Sequence, residues 1–366
     1  MGKLIYLEAI RGLAALIVAL HHFDLALTEK NNYLYQLKNE YPILKFLTDG
    51  NLAVTTFFIL SGRVLTLSFL KRELSLQSFE NLSSGVFKRS FRLVLPVLAV
   101  LFISQLLGYF HLHDSVRVAN GIAGTTGWYQ PPTEFQSFKE FVVFFINIFT
   151  NTFYVPNNGY FPFEIRMLIT ELSVQGHIKK MQPSYFWAFR VLLFVFFYIS
   201  YQQCYVGGET WGYLFYKYSR DLYQTSSGSI NNPGDLWYQP QDPRIFMAAC
   251  MIMLVELTPT MQTILNTMIF DFLGKISFGL YLAHGVVLSA VVSKVFVALV
   301  SSGRSIEFAQ TVSFFVFWAV SITCGWLIFK YIDMPSVRLS KRLRALFIRR
   351  VPAPLEQIVV PTNLPE

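Results

Sequence analysis

What most limits the fold of this chain is a series of apolar runs, near 4–27, 52–70, 91–110, 141–155, 185–201, 245–257, 278–300 and 308–332, most of them close to the length that crosses a bilayer. A helix rises about 1.5 Å per residue and the hydrocarbon core is about 30 Å thick, so roughly 20 apolar residues span it. Lipid offers the backbone no hydrogen bonds, and helices satisfy their own. With 53% hydrophobic and 14% charged residues over 366 positions, the chain reads as all-α: a polytopic transmembrane helical bundle of about eight to ten spans, not a set of soluble domains. The 245–257 run is short for a span unless it extends through Glu256 and Pro259.

Charge orients the bundle. The stretch from Lys330 to Arg350 holds seven cations against Asp333 alone. Following a hydrophobic span, it reads as a cytosolic, membrane-flanking tail and not as a nucleic-acid site. Lys71, Arg72, Lys88, Arg89 and Arg92 outnumber Glu73 and Glu80 between the second and third runs. The positive-inside rule therefore puts this loop and both termini in the cytosol. The division expected is a transmembrane domain over 1–332 and a basic cytosolic tail over 333–366. Asp333, two residues before Pro335, is expected to end the last helix, because proline restricts the backbone before it.

The first run carries the sharpest functional signal. Arg11 and His22 lie eleven positions apart, three helical turns and about 16.5 Å, which brings both to one face. Ionisable groups at bilayer depth are costly unless they face a protein interior or a wet cavity, and so mark a candidate site. The competing reading makes Arg11 a residue that snorkels to the interface and His22 a packed one. Arg89 and Arg92 enter the third run three residues apart, as ordinary positive-inside flanks or as an anion clamp, since planar guanidinium forks suit phosphates. With Arg11 near the same end, three arginines would then serve a nucleotide-like cofactor from the cytosol. His284 sits inside a later run, where a lone histidine is more often hydrogen-bonded packing than catalysis. His21 points about 100° away from His22, and His111 and His113 are expected to be solvated at the outer end of the third run.

Several chemistries lack their motifs. There is no phosphate-binding glycine loop, HExxH, GxSxG or CxxC, which disfavours pump ATPases, zinc proteases, serine hydrolases and thiol redox enzymes. Cys204, Cys250 and Cys324 form neither a paired framework nor a metal-ligand spacing. They read as packing residues, and no metal is expected.

The segments Leu7-Glu8-Ala9-Ile10-Arg11-Gly12-Leu13 running to His21-His22-Phe23, then Thr56-Phe57-Phe58-Ile59-Leu60-Ser61-Gly62, Arg89-Ser90-Phe91-Arg92, Ser277-Phe278-Gly279-Leu280-Tyr281-Leu282-Ala283-His284 and Asp333-Met334-Pro335 follow one another in a recognisable order. Together they resemble the acyltransferase-3 family of integral membrane acyltransferases, in particular its fungal branch, over roughly the first 110 and last 100 residues. The resemblance implies transfer of an acyl group, commonly acetyl from acetyl-CoA, to a hydroxyl of a carbohydrate or small molecule, and the branch points to secondary-metabolite biosynthesis. It implies roles for Arg11 and His22 in catalysis and for Arg89 and Arg92 in holding the acyl-CoA. Glu164, in Tyr160-Phe161-Pro162-Phe163-Glu164, is the nearest match to a further catalytic glutamate, without the tryptophan or the Gly-Ser pair of the family pattern. Arg63 and Glu8 also depart from that pattern.

Two functions follow from these residues. The first is a membrane O-acyltransferase with His22 as general base, an acyl-CoA donor, a hydroxylated acceptor and the lipid bilayer as surroundings. The second is a transporter whose intramembrane Arg and His line a solute or proton path. The arginine pair discriminates them, because an acyl-CoA enzyme requires it and a neutral-solute transporter does not.

Overall fold

The structure is a computed structural model and describes residues 5–27, 38, 40–57, 59–60, 76–123, 137, 139–143, 183–202 and 243–347. Among these residues there is no β-strand. In chain order the helices are α1 (Ile5–Leu27), α2 (Pro42–Leu47), α3 (Leu76–Tyr109), α4 (Ser115–Ala123), α5 (Pro183–Tyr201), α6 (Pro243–Leu257), α7 (Pro259–Leu265), α8 (Met268–Val287), α9 (Ser293–Ser301), α10 (Ile306–Ile328) and α11 (Met334–Phe347). Residues 50–57 are also helical.

Three continuous helical stretches among the described residues are long and apolar enough to cross a membrane: Ile5–Leu27, Met268–Ser301 and Ile306–Ser340. A fourth is counted if the bent pair Phe246–Leu257 and Pro259–Leu265 is one span. That pair turns by 96°, so the 245–257 run does not continue straight through Pro259. Proline at 259 lacks an N–H and sits at the first turn of α7, where the missing donor costs nothing. The Arg190 side chain of α5 donates to the Leu257 carbonyl at the bend, supplying one of the hydrogen bonds that the end of α6 loses. Most of the 141–155 run lies outside the described residues.

The central packing is backbone against backbone. A Cβ built on Gly12 of α1 would lie 2.7 Å from the Leu273 carbonyl carbon of α8, and one on Gly274 would lie 2.6 Å from the Glu8 carbonyl oxygen. A second crossing joins α8 to α10, where a Cβ on Gly279 would lie 2.5 Å from the Gly325 oxygen. Lipid tails are as apolar as leucine, so close van der Waals approach at small residues is what drives such helices together. α1 and α8 run the same way, as Gly12 meets Gly274 at one end and His22 meets His284 further along. α10 runs opposite: Gln310 near its start donates to the Leu27 carbonyl at 2.5 Å, capping the C-terminus of α1.

α3 completes the wall. Its Val100 packs with Ala283 of α8 and Ile328 of α10. After it, Val116 and Ala119 of α4 join Ala26, Leu27 and Phe296 in the main apolar cluster, so α3 runs parallel to α1. Its N-terminal half, with Arg89 and Arg92, therefore shares an end of the bundle with α11, which packs against it. On the other flank, Tyr6, Leu7 and Ile10 of α1 bury against Leu52, Leu60, Met247 and Ile252, and α5 packs on α6 through Leu193, Cys250 and Met253. Cys250 and Cys324 are packing residues, as expected; Cys204 lies outside the described residues.

Asp333 does not end the last helix. One continuous helix runs through it, by way of a π-helical turn at Phe329–Asp333, into α11. Proline at 335 removes an N–H and crowds the carbonyl four residues back, and a wide π turn just upstream absorbs both effects without breaking the rod. Asp333 is buried there at 2% exposure. His113 is not solvated either: it is 1% exposed, and its Nε2 donates to the Ser104 carbonyl at 3.1 Å. His111, at a φ of 55°, lies in the turn between α3 and α4, and α4 packs on α9 and α1. His111 itself stays exposed beside Asp114.

Candidate active site

α1 places His22 one turn before its C-terminal end, on the face turned to α8. The Gly12–Gly274 crossing brings the α8 backbone close enough to α1 for His284 to meet His22. His22 Nδ1 and His284 Nε2 are 2.6 Å apart, with ring centroids 4.9 Å apart and planes at 21°. The second ring nitrogen of His284, Nδ1, faces the Leu280 carbonyl at 3.3 Å. A carbonyl only accepts, so Nδ1 of His284 carries the hydrogen and, in a neutral ring, Nε2 is the acceptor. His22 Nδ1 then donates to it. This tautomer leaves the basic lone pair of His22 on Nε2, the arrangement in which an imidazole takes a proton from a bound hydroxyl.

Both histidines line a half-open cavity of about 410 Å³ between α1, α3, α8 and the π turn Leu288–Val292 that follows α8. Its walls are chiefly Leu25, Val97, Val100, Leu101, Leu282 and Val286, with Ser104 and Ser289 among them. A π turn one helical turn beyond His284 is the kind of local widening that recurs beside functional sites. Ser289 donates to the Val286 carbonyl at 3.1 Å and Ser293 donates to the Ser289 carbonyl at 2.5 Å, so these hydroxyls bond the widened backbone.

The other expected residues divide. Arg11 is half-buried and forms an ion pair with Glu8 at 2.9 Å. It shares the helix face of His22 but does not line the cavity. Arg89 and Arg92 lie on α3, five and eight residues before Val97 in the case of Arg92 and Arg89; their side chains, and the proposed convergence with Arg11, fall outside the described residues. Glu164 falls outside them too. His21 braces the bundle: its Nδ1 donates to the Thr48 carbonyl at 3.0 Å, and a Cβ on Gly50 would lie 2.6 Å from its ring. Asp24 pairs with Lys38, and Asp49 Oδ2 takes Arg244 Nε at 2.6 Å while its Oδ1 accepts from the Asn51 and Leu52 amides.

Sequence reasoning left His284 open between packing and chemistry. The spacing within one helix cannot show which neighbour a lone histidine meets. Among the described residues, no three His, Cys, Asp or Glu side chains converge as a metal-ligand set.

The family described as an acyltransferase domain matches residues 4–216, more than half of the chain. The matched region contains Arg11, His22, Arg89, Arg92 and Glu164 and stops short of His284. Over 96 residues the chain is 26% identical to the O-acetyltransferase PaAT-1 of Phomopsis amygdali. That stretch is 25% of this chain and 19% of the relative, so it spans about a fifth of the relative's length. No solved structure matches the chain.

Proposed function

The chain belongs to the acyltransferase-3 family of membrane acyltransferases, and on that premise we propose that it moves an acyl group, acetyl in the first instance, from acyl-CoA to a hydroxyl of a small molecule or carbohydrate. The observation that carries the mechanism is the contact between His22 and His284 in the cavity wall. The acceptor hydroxyl gives its proton to His22 Nε2 as its oxygen attacks the thioester carbonyl carbon. The C–S bond then breaks, and the imidazolium returns the proton to the departing CoA thiolate. His284 holds the tautomer and accepts from Nδ1 throughout, so the positive charge on His22 forms against a lone pair. Such a base is worth about 10²–10⁴ in rate.

Arg89 and Arg92 hold the phosphates of coenzyme A by charge-assisted hydrogen bonds. Supporting this division, Arg92 and Arg89 precede Val97, where the cavity begins on α3, by five and eight positions, a rise of about 8–12 Å. An extended pantetheine arm covers that kind of span, from phosphates at the basic end to a thioester beside the histidines. Arg11 belongs to the same basic end. The transporter alternative explains neither this spacing nor the family membership.

The test is acyl transfer in membranes carrying the full chain, with product read by mass spectrometry in cells and in extracts. His22→Ala is expected to cut product formation by about 10²-fold or more. Arg89→Ala with Arg92→Ala is expected to raise the acyl-CoA concentration needed for half-saturation, with a smaller change in kcat. Full transfer by His22→Ala overturns the base, and unchanged acyl-CoA saturation overturns the clamp.

A further inference from the structure

The cavity beside the histidines is out of proportion to the group transferred. Its volume of about 410 Å³ lies in the range of pockets that enclose whole drug-sized ligands. An acetyl group has three heavy atoms, whereas a single water takes about 30 Å³ of liquid, so with the pantetheine arm approaching from the Arg92 end and only its thioester entering, acetyl leaves most of the space to something else. The walls decide its chemistry. Val97, Val100 and Leu101 of α3 face Leu282 and Val286 of α8 across it. The Ser289 hydroxyl gives its hydrogen to the Val286 carbonyl, so among the described lining residues the polar groups that face a ligand reduce to the histidine pair and the single hydroxyl of Ser104. A sugar there would bury several hydroxyls against valine and leucine, each unpaired one at a substantial cost.

We propose that the acceptor is an apolar alcohol, a mainly hydrocarbon skeleton with an isolated hydroxyl, whose skeleton fills this cavity and whose hydroxyl stops at His22. This rests on the reading of His22 as the base. An ester forms at that hydroxyl as the thioester C–S bond breaks, and the hydroxyl proton leaves through His22 to the CoA thiolate. The occupant is the acceptor and not a long acyl chain because the group that must touch the base is the one that loses a proton.

The experiment uses the full chain in nanodiscs with acetyl-CoA and a series of probes: 1-propanol, 1-hexanol, 1-decanol and a methyl glucoside. If the hydrocarbon part is buried, kcat/KM rises about fourfold for each methylene until the cavity is full. Val100→Trp shortens the preferred alcohol, and Leu101→Ala, which removes bulk and so does not depend on fitting a larger ring, lengthens it. A parallel arm varies the donor from acetyl-CoA to octanoyl-CoA with one alcohol fixed. Preference for the glucoside, no dependence on alcohol length, no transfer to any alcohol, or a Val100→Trp effect on donor length and not alcohol length each overturns the proposal. Failure of the base reading looks different: turnover that survives His22→Ala, whatever the acceptor.

Discussion

At the scale of single residues, the informative pair is His22 and His284, because each fixes what the other can do. A neutral imidazole without fixed partners populates both tautomers, and one of them presents the wrong nitrogen to a substrate. The contact at 2.6 Å on one side and the Leu280 carbonyl on the other remove that choice. In the proposed mechanism His284 is a positioning residue, and its replacement separates that role from packing. His284→Gln keeps an amide oxygen able to accept from His22 Nδ1, whereas His284→Leu keeps bulk and removes the acceptor. We expect His284→Leu to lower kcat by about 10- to 100-fold, a part of what a general base supplies, with KM for acyl-CoA little changed. His284→Gln is expected to recover most of that loss. Equal activity of the two variants, or a loss confined to KM, would leave His284 as a packing residue.

At the scale of elements, what brings the two histidines together lies about ten residues away from them. α1 and α8 touch backbone to backbone at Gly12 and Gly274, and the parallel course from there carries His22 to His284. Adding a branched side chain at Gly274 places Cβ within 2.8 Å of three Glu8 atoms, two of them backbone, so the helices must part. Overpacking of this kind costs about 1–3 kcal/mol, and a misplacement of about 1 Å at a reacting centre costs up to 10²-fold in rate. Gly274→Val should therefore lower Tm by several degrees in a detergent melting curve and reduce transfer more than tenfold. Gly121→Ala, where nothing lies within 4 Å, should leave Tm unchanged or raise it slightly. A Gly274→Val protein with native Tm and native rate would remove the crossing from the mechanism. The same crossing explains what sequence could and could not reveal. The shared face of Arg11 and His22 follows from helical period, and the apolar runs over α1, α8 and α10 follow from their length. The partner of His22 is 262 positions away in sequence, and no local pattern encodes it. The burial of His113 is hidden from sequence for a related reason: its ring bonds the Ser104 carbonyl nine residues back, across a turn with a left-handed residue at His111. The passage of the helix through Asp333 is likewise not legible from Pro335, because the π turn at Phe329–Asp333 lets the helix pass a proline.

At the scale of the whole molecule, the directions of four helices gather the charge at one end. α1, α3 and α8 start where α10 finishes, so Arg11, the 88–92 stretch of α3 and the basic α11 share that end. The histidine pair lies towards the other, His22 being five residues from Leu27. The stretch Ile306–Ser340 is 35 residues long, about 50 Å of helix against a hydrocarbon core of about 30 Å. Its basic continuation therefore projects from the membrane, and Arg338 and Arg342 are exposed on it. Lys and Arg flanking spans are retained in the cytosol, so the basic end is expected to face it and the turn at 301–305 the opposite side. Acyl-CoA would then bind where it is made, with its thioester reaching through the bundle towards the histidines. Single cysteines at Arg338 and Ser302, in a chain whose own Cys204, Cys250 and Cys324 are replaced by serine or alanine, read this directly. In sealed vesicles with the cytosolic face inward, a membrane-impermeant maleimide should label Ser302→Cys at once and Arg338→Cys only after detergent is added. The reverse pattern would put the arginine pair on the side away from cytosolic acyl-CoA, and the proposed donor site would have no route to its substrate.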